Sequence, residues 1–247
     1  MPNYKHMNSA SRIHALLSAA IEQPNDAIWG VWADVFAVKG SDDTETAELV
    51  LEHLHWLQLE LQLLKIQAEE TPLSKHLYEG SLARIRSVIS PLNLPASWQG
   101  VRGNLTPDVF LALAFLNEVL PDEESTIPAV ELQTILQQVA DLSEALKDAD
   151  LPPSLRALVE HHIKLIRTAL AQYKISGARA LREAGRTALG EIIERREELK
   201  TEKGSEVVGQ LDKVWKSVNS AADAALKVEK LAQLGYRAWE VIANLLS

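Results

Sequence analysis

The chain contains no cysteine, which removes disulfide staples, thiolate metal sites and a cysteine nucleophile together. It also lacks any long apolar run. The longest is Val109 to Leu116 (VFLALAFL), eight residues, where a membrane-spanning helix needs ~20. The first thirty residues interrupt their apolar positions with polar ones and do not have the charged-then-apolar build of a secretory leader. These absences point to a cytoplasmic protein. Serine nucleophile elbows, phosphate-binding glycine loops and zinc-protease helices are missing, so no catalytic residue, metal ligand or cofactor site is expected. Alternating strand patterns are scarce.

Aromatic residues are few, and their balance is unusual: six tryptophans against three phenylalanines. Trp29, Trp32 and Trp56 fall among aliphatic residues at helical spacing and read as core. Trp98, Trp215 and Trp239 lie in a loop or in the C-terminal segment. Because tryptophan is enriched at interfaces, these three are candidates for contact with a partner, with core packing as the competing reading.

What the chain does have is helical periodicity nearly everywhere. The 247 residues are 47% hydrophobic and 24% charged, a globular composition with enough chain to bury a core unaided. Eight to ten helices are legible. Pro107 stands where a first-turn proline belongs, after Thr106. The helix it opens is apolar on every side between Val109 and Leu116, which places it at the centre of a bundle. Residues 90–106 (SPLNLPASWQGVRGNLT) form the one long non-helical connection, with Trp98 as its anchor.

Residues 205–247 carry a separate signal. Val207, Leu211, Val214, Val218, Ala221, Ala225, Val228, Ala232, Gly235, Trp239, Ile242 and Leu246 alternate gaps of four and three, a sustained heptad seam. The expected architecture is therefore all-α: a helical bundle over 1–202, then an amphipathic segment over 203–247. That segment is either one long helix or a hairpin bent near Asn219 and Ser220, standing apart or packed on the bundle as one domain.

The net charge is −9 and unevenly spread. Residues 101–150 are strongly acidic, whereas 151–200 hold ten Lys and Arg against six Asp and Glu. An acidic chain without a broad basic face argues against nucleic-acid binding. Arg179, Arg182 and Arg186, spaced three and four apart, form a basic stripe beside small residues (Gly177, Ala184, Gly185, Ala188). The stripe reads as a docking surface for an acidic partner or as an internal ion-pair seam against 101–150.

Two histidine groups are candidate metal ligands. Glu52 and His55 make one Glu-x-x-His step, but the second copy that a di-metal bundle needs is missing. His161 and His162 are adjacent and diverge by ~100° on a helix, so joint chelation is not expected. Asp122, Glu123 and Glu124 read as a solvated loop.

The sequence thus describes a non-enzymatic helical protein that acts by contact with another protein, or with itself through 203–247. A bacterial toxin–antitoxin or anti-phage setting would suit such a role. The second reading is a membrane-acting effector that uses the C-terminal amphipathic face, and the third is an enzyme of an unrecognised all-α type.

Overall fold

A computed structural model describes residues 6–24, 26–201 and 205–227. Every regular element among them is helical: α1 (Ser9–Ile21), α2 (Ile28–Phe36), α3 (Asp43–Glu69), α4 (Glu79–Val88), α5 (Gln99–Arg102), α6 (Pro107–Val119), α7 (Ala129–Asp148), α8 (Pro153–Ser176), α9 (Ala178–Glu194), α10 (Arg196–Thr201) and α11 (Glu206–Ala225), with 3-10 turns at Lys75–Leu77 and Pro91–Asn93. No described helix is long and apolar enough to cross a membrane. The chain divides into two compact units. The first is Met1–Glu123 with Lys174–Ser176, the second Glu124–Tyr173 with Gly177–Ser247.

In the first unit α1 opens with a capping box. Asn8 accepts from the Ser11 amide at 3.2 Å while Ser11 Oγ accepts from the Asn8 amide at 3.0 Å, which satisfies two donors that a helix start leaves open. Asn8 is itself buried, and its side chain donates to the carbonyls of Asn117 and Pro121, tying the start of α1 to the end of α6. The core is built on Trp32, which stacks on Phe36 and meets Trp98 edge-on at 6.2 Å. Trp98 is fully buried, and its amide donates to the Asp26 carbonyl at 2.8 Å. The 90–106 connection is thereby pinned on α2, and part of it is helical (α5).

Helix α6 departs from the sequence expectation. Val109, Ala112, Leu113 and Leu116, at spacings of three, one and three, are buried against the first unit's core. Leu111, Phe115 and Val119 on the other side are 55%, 49% and 40% exposed. A helix needs only one apolar stripe to pack, and here the second stripe stays in solvent.

The second unit has its own core, in which Ile135, Leu142, Val159, Ile166, Leu181, Ala188, Val214, Trp215 and Val218 are buried together. The seam residues of α11 (Val207, Leu211, Val214, Val218, Ala221, Ala225) are all spent inside this core. The helix ends at Ala225, because Leu226 turns to an extended conformation (ψ 124°) and bridges Glu124. Among the described residues α11 runs unbroken through Asn219 and Ser220. The seam from Val228 onward, including Trp239, lies outside the described residues.

Candidate functional site

The arginine stripe on α9 is divided by burial. Arg186 is exposed, Arg179 is half-buried and Arg182 is 2% exposed. Arg182 Nη2 forms an ion pair with Asp223 of α11, not with the acidic 101–150 segment that the sequence had offered. Burial, with Arg186 nearby, pulls the Arg182 guanidinium below its ordinary pKa. Small residues on α9 allow this close approach; a Cβ added at Gly185 would strike the Asn219 side chain. The stripe as a whole is therefore no open docking face. Trp98 and Trp215 are both 0% exposed and hold their units together from within.

His53 is buried, its Nδ1 2.8 Å from the Leu49 carbonyl, and burial lowers its pKa, whereas Glu52 and His55 are exposed. His161 and His162, expected to diverge, converge on one carboxylate: their Nε2 atoms lie 3.1 and 3.0 Å from the two oxygens of Glu191. His161 is exposed and His162 fully buried, so the long Glu191 side chain bridges the rim of the unit and its interior. Among the described residues no group of three or more His, Asp or Glu side chains is arranged to hold a metal ion.

The acidic turn after α6 is structural: Glu124 is buried, and Asp122 and Glu123 are half-buried. Arg12, 5% exposed, donates to Glu60 at 2.7 Å, to Glu123 at 2.8 Å and to the Ile175 carbonyl at 3.1 Å, and Gln67 donates to the other Glu123 oxygen at 2.7 Å. Asp122 accepts from the Met7 amide at 2.9 Å. Glu124, 3% exposed, accepts from the Ala178 amide at 2.5 Å. It thus places a carboxylate at the N-terminus of α9, where unpaired amides and the helix dipole favour negative charge. Nothing local in the sequence marks these three acids as paired within the fold, since their partners lie far away along the chain.

Two features of the surface remain. On the first unit, Leu111, Phe115 and Val119 follow one another at intervals of four along the solvent side of α6, and no described segment covers them. A sparser row (Leu51, Leu59, Ile66) runs along α3. On the second unit, α7 and α8 flank a cleft of about 410 Å3 lined by Ser143, Leu146, Lys147, Arg156, Glu160, Ile163, Lys164, Arg167 and Thr168. Comparison with family models, curated proteins and solved structures finds no match to this chain.

Proposed function

We propose that the protein is a non-enzymatic helical interaction protein whose contact face is the open side of α6. The observation that carries this reading is the row Leu111, Phe115 and Val119, each at least 40% exposed. Isolated exposed apolar side chains are ordinary, but a contiguous apolar stripe on an otherwise polar surface marks a contact site. Residues at i, i+4 and i+8 present the ridge that a partner helix packs against. The buried tryptophans and the internally spent seam of α11 leave the earlier candidates less able to serve, apart from Arg186 at the surface and Trp239 outside the described residues. The lack of cysteine agrees with action in a reducing, cytoplasmic setting.

The test uses the full chain as bait in its native host, beside the Leu111→Glu/Phe115→Glu variant. Both substituted positions are exposed, so the variant keeps its fold. Recovery of a stoichiometric protein by the wild type and its loss with the variant supports the assignment. Equal recovery by both, or no stoichiometric partner for either, overturns it.

A further inference from the structure

We infer that the cleft between α7 and α8 is a binding site for a small organic phosphate. The helical register brings the lining together. Ser143 and Lys147 are one turn apart on α7, and Glu160, Lys164, Arg167 and Thr168 occupy positions i, i+4, i+7 and i+8 on α8, so each set shares a helix face. Arg156 is fixed at one end, its Nη1 donating to the Leu146 carbonyl at 2.7 Å and its Nη2 to the Ala149 carbonyl at 2.6 Å. It therefore caps the end of α7 without losing charge to a carboxylate.

Four cations line the cleft against one carboxylate, Glu160. Lys147 is engaged from outside the lining by Glu144 at 2.7 Å. Among the described residues Lys164 and Arg167 have no carboxylate partner. Setting Glu160 and Glu144 against the four cations leaves two positive charges in surplus, in a protein whose net charge is −9. A phosphate monoester carries ~1.5–2 negative charges near neutral pH and three acceptor oxygens, which matches that surplus. Arg167 supplies a planar fork of donors, Lys164 and Lys147 supply mobile point charges, and the hydroxyls of Ser143 and Thr168 add neutral donors. Glu160 disfavours a ligand of lower charge, since only a strong anion outweighs its repulsion.

The remaining lining sets the size of the ligand. Leu146 and Ile163 are 5% and 6% exposed and form an apolar floor. A cleft of about 410 Å3 falls in the range of ~300–1,000 Å3 that small-molecule sites occupy, larger than a bare phosphate needs. An organic body on the floor with its phosphate among the cations fills both parts. The site shares no residue with the α6 row and stands or falls independently of it.

The experiment is an amide NMR titration of the full chain with phenyl phosphate, inorganic phosphate and phenol. Saturable shifts confined to residues around 143–147 and 156–168 are expected with phenyl phosphate, weaker ones with inorganic phosphate and none with phenol. Removing two charge-assisted contacts by Lys164→Gln/Arg167→Gln should weaken phenyl phosphate at least about tenfold. Glu160→Gln should tighten it severalfold, a gain that mere damage to the fold would not give. Shifts scattered over lysines and arginines elsewhere, undiminished binding by the double variant, or no saturation at millimolar ligand would overturn the site.

Discussion

The indole N–H of Trp215 donates to Nδ1 of His162 at 3.1 Å, which leaves the imidazole proton on Nε2, facing Glu191 at 3.0 Å. Tryptophan offers a donor and no acceptor, so the pairing holds only while His162 is neutral. Adding a proton would point two N–H groups at each other in the interior of the second unit.

That relationship gives a pH dependence with a definite sign. Burial holds the His162 pKa below its ordinary 6.5 and His161 pushes the same way, while the hydrogen bond and charge of Glu191 oppose them. The unfolded chain takes the proton more readily than the folded one, so the contribution of His162 to stability is complete above its unfolded pKa. It is lost as pH falls below that value toward the folded pKa. Burial lowers His14 and His53 as well, so the share of His162 must be isolated. Glutamine can accept from Trp215 and donate to Glu191 without titrating. Urea unfolding of the wild type should therefore lose more stability between pH 6.5 and 5 than His162→Gln does; parallel curves would reject the pairing.

Arg12 anchors the first unit in the same way that His162 anchors the second. Its guanidinium serves Glu60, whose side chain is fully buried, and Glu123. Arg12→Met should cost ~3–5 kcal/mol by leaving a buried carboxylate unpaired. Arg12→Met/Glu60→Met should recover part of that loss, because it removes the fully buried orphan carboxylate while Glu123 keeps its bond from Gln67. Urea melts of the two variants read the difference directly.

The helices were legible because their signal is local. Pro107, the stop at Asp148–Pro153 and the Ser176–Gly177 break all mark real boundaries, since capping and proline chemistry act within a turn. Burial of charge was not legible. Arg182 finds Asp223, Arg12 finds Glu60 and Glu123, and Glu124 finds Ala178, all across separations that no periodicity encodes. The α11 seam shows the opposite limit. Its repeat continues past Ala225, yet the backbone turns at Leu226, where the Ser125 amide donates to the Ala225 carbonyl at 2.7 Å. The α7–α8 cleft was hinted at only by the positive surplus of 151–200, which the sequence had assigned to α9.

Two glycines of the second unit should respond to alanine with opposite signs. Gly177 sits at φ 65° and ψ −157°, a region open essentially to glycine alone, and a Cβ there would run into the Glu124 carboxylate that caps α9. Gly177→Ala should cost at least ~1–3 kcal/mol from the backbone. Gly190 lies inside α9 with open space around it, so Gly190→Ala should gain ~0.5–1 kcal/mol of helix propensity. Thermal melts that move in one direction for both would contradict the geometry at Gly177.

The two sides of α6 give the sharpest contrast, two residues apart. Leu113 is 0% exposed and Leu111 55%. Leu113→Asp buries an unpaired charge and removes core volume, which should cost more than ~3 kcal/mol and abolish cooperative melting of the first unit. Leu111→Asp puts the same group in water on the same helix and should stay within ~0.5 kcal/mol of wild type. Circular dichroism melts of the pair measure how α6 is oriented. Equal damage at both positions would mean that the open side is covered, and the contact face proposed for Leu111, Phe115 and Val119 would go with it.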